Sequence, residues 1–130
     1  MSNPQLLEII YKVNEEFDEE TNLRLEYLSE TIVKKSDSER EAEVTFILNI
    51  FKEKDFNKVP FVIKMSMKGD FRWMAEFDDK VDNLLKINAP ATLLSYLRPF
   101  VAQFTSFSGF PPLIMPLFDF TDTDKKDNVE

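Results

Sequence analysis

The sequence contains no cysteine and no histidine. Their absence excludes disulfides, zinc sites of the Cys/His kind, thiol nucleophiles and imidazole general bases, and with them most hydrolase machinery. No phosphate-cradling loop is present either, so nucleotide-driven chemistry is not expected. Positive charge is scarce: 16 Lys and Arg stand against 24 Asp and Glu, a formal net charge of -8. Nucleic acid is a poor partner for such a chain, because phosphate binding needs clustered cations.

Residues 1–7 carry neither a basic n-region nor an uninterrupted apolar h-region, and the lack of cysteine fits a reducing compartment, so a cytoplasmic location is expected. The one long apolar stretch is broken by Gln103, Thr105, Ser106, Ser108, Gly109 and prolines, which argues against membrane insertion.

What is present is enough for a real core: 130 residues, 43% of them hydrophobic, fit one domain better than two. That domain is expected over residues 1–120, followed by an acidic and disordered tail at 121–130. Leu7, Ile9, Tyr11, Val13 and Phe17 alternate with polar neighbours, the period of a half-buried strand. A short amphipathic helix also fits that run, with the strand preferred. A second strand is read from Leu23, Leu25, Tyr27, Thr31 and Val33, closed by a polar turn at 34–40. Ala42, Val44, Phe46, Leu48 and Ile50 give a third strand, and the charged stretch 52–58 a hairpin connection. The fourth strand spans 59–73, with Val59, Phe61, Ile63, Met65, Met67, Phe71 and Trp73 on the covered face.

Beyond Trp73 the period changes. Phe77, Val81, Leu84 and Leu85 read as a short helix ending near Asn88, its amino end supplied with Asp78, Asp79 and Asp82. Asn88 is then expected to cap a longer helix, bent at Pro99 and stopped by Gly109 and the prolines at 111–112. The fold class is therefore α+β: a four-stranded antiparallel sheet with a long C-terminal helix packed on one face.

Between Asn88 and Phe118 the only charged residue is Arg98, although 31% of the chain is charged. A helix apolar nearly all round is either wholly buried, in its own core or against another copy, or presents a second face to a partner. Other signals are weaker. Ser106-Phe-Ser-Gly109 lacks the leading glycine and the histidine of a nucleophile elbow. Asp119, Asp122, Asp124 and Asp127 lack the central glycine of a calcium loop. No catalytic residue, metal site or cofactor is expected, and Trp73 is assigned to the core.

The stretch from Asn88-Ala-Pro-Ala-Thr-Leu-Leu-Ser-Tyr-Leu-Arg-Pro-Phe to Ser108-Gly-Phe-Pro-Pro-Leu-Ile-Met-Pro-Leu-Phe-Asp-Phe120 resembles the SecB family of export chaperones. The resemblance covers about residues 6–120 and includes the crossover after the first strand. It implies an ATP-independent holding chaperone that binds unfolded preproteins in apolar grooves and hands them to the motor SecA. The implied peptide-binding lining is Phe17, Phe104, Phe107, Phe110, Leu113, Met115 and Phe118. It also implies a homo-oligomer, a dimer of dimers packed helix against helix, with Leu94, Leu97 and Val101 at the interface. The implied motor-docking positions are Asp18 and Asn14, the second departing from the family's acidic residue within the acidic run 15–20. A short crossover at about 18–22 departs from longer members. Some SecB-like proteins serve one antitoxin instead, and a structural homo-oligomer without clients is the alternative from another class.

Overall fold

In the computed structural model, which describes residues 2–17, 24–36, 40–74, 78–110 and 113–115, four strands precede the α-helices. They are β1 (Ser2–Val13), β2 (Tyr27–Ser36), β3 (Glu41–Ile50) and β4 (Phe61–Arg72). Their order in the sheet is β1-β4-β3-β2, all antiparallel, so the chain crosses from one sheet edge to the other after β1. Helices α1 (Asp79–Asn83) and α2 (Ala89–Phe107) follow.

The alternation read from sequence sets the two faces. In β3, Ala42, Val44, Phe46, Leu48 and Ile50 are all buried while the residues between them are half-buried. Directly across, Phe71, Gly69, Met67, Met65 and Ile63 of β4 share that inner face. From β1, Ile9, Tyr11 and Val13 join it opposite Met65, Ile63 and Phe61. From β2, Tyr27, Thr31 and Val33 join it opposite Ile50, Phe46 and Val44. α2 closes the layer through Leu93, Leu94, Leu97 and Val101, and Trp73 sits in the same core as expected.

Several boundaries differ from the sequence reading. β1 starts at Ser2, and a register irregularity between Leu6 and Glu8 puts Leu7 out of phase, so it is 46% exposed rather than inward. An edge strand tolerates such a bulge, and Pro4, because only one side of its backbone must pair. β1 ends at Val13, which leaves Phe17 in the following turn. β2 runs on through Lys34 and Lys35, opposite Glu43 and Ala42, instead of turning there. The cross-strand Lys34/Glu43 pairing makes lysine acceptable on an edge strand. The stretch 52–58 forms a 3-10 turn (Glu53–Lys58) rather than a bare hairpin loop.

Asn88 does not cap a new helix. Its backbone is helical (φ -73°, ψ -40°), its side chain caps nothing, and its carbonyl accepts the Thr92 hydroxyl at 2.8 Å. The cap lies ten residues earlier, where Asp78 accepts the Val81 N–H at 3.0 Å. A π turn (Leu84–Asn88) joins α1 to α2 without a break, and α2 runs on through Pro99. The stop is as expected: Gly109 has φ +86°, its N–H donates to Ser106 O and the Phe110 N–H donates to Thr105 O. That pair of bonds is a Schellman closure, which needs a left-handed residue at Gly109.

Candidate functional site

Where the amino-terminal strand passes under the end of α2, aromatic rings form a continuous row. Phe100 stacks on Phe104 (centroids 6.3 Å apart), and Phe104 stacks on Tyr11 (5.7 Å, planes 19° apart). Tyr11 tilts against Phe61 (6.0 Å), which meets Phe110 (5.3 Å) and the edge of Phe51 (5.6 Å). Helical spacing puts Phe100 and Phe104 one turn apart on the same side, and strand pairing puts Tyr11 beside the β4 residues they face. Phe51 and Phe61 are buried, whereas Tyr11, Phe100, Phe104 and Phe110 are half-buried and keep ring surface at the solvent boundary. Rings in offset or tilted contact gain about 0.5–1.5 kcal/mol per pair beyond area burial, which favours the row as a set.

Polar groups hold the row in place. Tyr11 donates its hydroxyl proton to Ser108 Oγ (2.8 Å), which donates onward to Phe104 O (3.0 Å). Arg98 Nε donates to Met115 O (3.0 Å), and the Leu113 N–H donates to Thr105 Oγ1 (2.9 Å). The residues after the helix are thus tied back to it at two points. Arg98, the isolated charge of the apolar stretch, is spent on a main-chain carbonyl.

The residues predicted from sequence fall into distinct groups. Phe104 and Phe110 belong to the row, and Leu113 packs against the core. Met115 is 0% exposed, so it lies beneath the surface and has none to offer a peptide. Phe107 is 77% exposed on the last turn of α2. Phe17 is half-buried in the turn after β1, its N–H donating to Asn14 O (3.3 Å). Phe118 and Asp18 lie outside the described residues. Leu94, Leu97 and Val101 need correction: at 2%, 0% and 0% exposure they are consumed by the chain's own sheet and leave nothing for a second copy. Helical periodicity had identified an apolar stripe, but not which body covers it.

Asn14 is held by the fold. Its Nδ2 donates to Phe56 O and Val59 O, both at 3.1 Å, and its Oδ1 accepts the Glu16 N–H at 3.1 Å. The side chain therefore ties the end of β1 to the last part of the 3-10 turn and to the residue that follows it. Tyr11 was read from sequence only as an inward strand residue. A lone phenol at the end of an apolar strand, far from any other hydroxyl in sequence, was the available hint.

The sheet face away from α2 is charged. Glu8 pairs with Lys64 (3.6 Å), Glu43 with Lys68 (3.6 Å) and Glu41 with Arg72 (3.1 Å), all partly exposed. Such pairs are worth little in stability, about 0–1 kcal/mol each. They share that face with Ile10, Ile32, Ile47 and Val62. Among the described residues, no helix is long and apolar enough to cross a membrane.

A model of the family described as preprotein translocase subunit SecB matches residues 8–126. This chain belongs to the SecB family. Among relatives, an uncharacterised protein of Methanocaldococcus jannaschii is 28% identical over 116 residues, covering 88% of this chain and 75% of that one. The protein-export protein SecB of Anaplasma phagocytophilum is 33% identical over 92 residues, covering 68% of this chain and 57% of the relative. That of Ruegeria sp. is 34% identical over 88 residues, covering 67% and 54%. The chain thus spans a little over half the length of these SecB relatives. Among solved structures, the SecB-like chaperone of Mycobacterium tuberculosis, in complex with a peptide from the HigA1 antitoxin, shares the fold with a TM-score of 0.71. Identity there is 14%, over 91% of this chain and 88% of that one. The family is one of chaperones, and SecB membership accounts for the order of strands and helix read first from sequence.

Proposed function

We propose that this chain is an ATP-independent holding chaperone of the cytoplasm that binds unfolded preproteins or other non-native polypeptides along the aromatic row of Tyr11, Phe100, Phe104 and Phe110. The observation that carries the reading is that these rings belong to one contiguous series of ring contacts yet are only partly buried. Non-native chains expose apolar side chains and folded proteins hide theirs, so such a surface discriminates by folding state without a sequence motif. Aromatic surface supplies large contact area at low rotamer cost.

The homo-oligomer, a dimer of dimers, would use the outward side of α2, not its buried stripe. Ala91, Ser95, Tyr96, Pro99, Gln103 and Ser106 are exposed there and none is charged. Export with handover to SecA is the destination favoured by the relatives named for protein export. Docking of the motor would fall to Asp18 and the acidic neighbours of Asn14, since the Asn14 amide is already hydrogen-bonded.

The test follows spontaneous refolding of a slow-folding precursor diluted from denaturant, with and without the chain at near-equimolar concentration and without nucleotide. Slowed refolding, with no binding to the native client, is expected. Unchanged refolding across several unrelated clients would leave a structural oligomer. Arrest confined to an antitoxin would reassign the client.

A further inference from the structure

The last turn of α2 contains a polar group sealed from solvent. Thr105 is 0% exposed, and its hydroxyl lies 2.9 Å from Val101 O and 3.1 Å from Ala102 O, to which it donates. A hydroxyl has one proton and two lone pairs, so donation back along the helix leaves the oxygen free to accept. The Leu113 N–H occupies that acceptor at 2.9 Å, and the Thr105 carbonyl accepts the Phe110 N–H at 3.1 Å. The Thr105 hydroxyl therefore fixes Leu113, which packs on the same core, while the main-chain carbonyl, common to any residue at this position, holds Phe110 of the row. Valine would fill the same shape in an apolar surround without a polar atom to satisfy. Packing alone does not account for a hydroxyl here, whereas the Leu113 N–H does.

We propose that Thr105 is a positioning residue of the aromatic surface: its hydroxyl fastens Leu113 and so holds the segment that follows Phe110 in place, as a wall of that surface, before a client arrives. The proposal rests on the holding-chaperone reading. A surface already ordered loses less freedom on binding than one that must be ordered, so release of the wall weakens client binding without removing any ring. Arg98 is the second fastening, through Met115 O, and it limits how far the segment moves when the first is lost.

The test compares wild type, Thr105→Val and Thr105→Ser in the full chain. Amide hydrogen exchange reports on Leu113, and affinity is measured for a reduced, carboxymethylated protein that stays unfolded in buffer. In Thr105→Val, exchange at Leu113 is expected to quicken at least about tenfold, with β3 amides unchanged as the control for global stability. The client Kd is expected to rise about fivefold to tenfold. Thr105→Ser keeps the hydroxyl and restores both to within about twofold. Unchanged Leu113 exchange in Thr105→Val, a freed Leu113 with an unchanged Kd, or no rescue by serine would overturn the proposal. If the wild-type chain binds no unfolded client, the holding-chaperone reading falls and the groove role with it, while exchange at Leu113 still reports separately whether Thr105 holds the segment.

Discussion

Replacing Asn14 by aspartate, nearly the same in shape, tests whether that side chain is a fixture of the fold. Asparagine gives two N–H bonds from Nδ2, to Phe56 O and Val59 O, and accepts one from the Glu16 N–H. Aspartate keeps the acceptor but turns the two donors into an anionic oxygen facing two carbonyl oxygens. Each neutral hydrogen bond lost costs about 1 kcal/mol, and the half-buried carboxylate against carbonyl dipoles adds about another 1, for a total of about 2–3 kcal/mol at pH 7. For a domain of this size each kcal/mol shifts Tm by about 4 °C, so a fall of about 8–12 °C is expected. The pH dependence fixes the mechanism. Carbonyls facing it disfavour the charged form, so the folded-state pKa of the new carboxyl lies above its unfolded value. The folded variant then holds its proton more tightly than the unfolded chain, and the penalty is full above the folded pKa and shrinks as pH falls toward the unfolded one. Urea unfolding of wild type and variant at pH 7 and pH 4.5, at one protein concentration, reads both effects. An Asn14→Asp variant as stable as wild type at pH 7, or a gap that does not narrow at low pH, would refute the reasoning.

Leu97→Ala removes a side chain that is 0% exposed, and a loss of about 2–5 kcal/mol in protomer stability is expected from urea unfolding. A loss of oligomer with protomer stability intact would instead restore Leu97 to an interface between copies. Tyr11→Phe deletes the hydroxyl bonded to Ser108 but keeps the ring on Phe104, so stability falls by about 1 kcal/mol while refolding arrest persists. Loss of arrest in that variant would show that the hydroxyl, rather than the ring, serves the client.

The strands were legible because each has a face that water cannot reach, and period-2 alternation records that directly. β3 shows this most plainly, with Ala42, Val44, Phe46, Leu48 and Ile50 all buried. The signal fails where only one side of the backbone must pair, as at the bulge that exposes Leu7. The candidate site was less legible. Phe104 and Phe110, named from the sequence, do lie in the aromatic row, but composition cannot separate a partly buried ring from a methionine packed out of sight, as Met115 is. The hydrogen bonds of Tyr11 to Ser108 and of Leu113 to Thr105 could not be read from the sequence, because these residues become neighbours only when β1 and the segment after α2 meet at the helix end.

The misreading of Asn88 has a geometric origin. The buried residues Val81, Leu85, Ala89, Leu93, Leu97, Val101 and Thr105 recur every fourth position. In a regular α-helix each such step drifts by about 40° around the axis, so the row would rotate off the sheet well before its end. A break at Asn88, with a fresh helix rotated to suit, is one remedy and is what an asparagine before Ala-Pro invites. The chain uses another: the π turn at Leu84–Asn88 absorbs one extra residue, which turns the following helix back by about 100°. Ala89 thereby returns close to the direction of Val81, and the later drift is spread about the mean contact direction. Continuity matters for the aromatic row as well, because the same phase that buries Leu97 and Val101 sets Phe100 and Phe104 at the edge of the core, where Tyr11 can reach them.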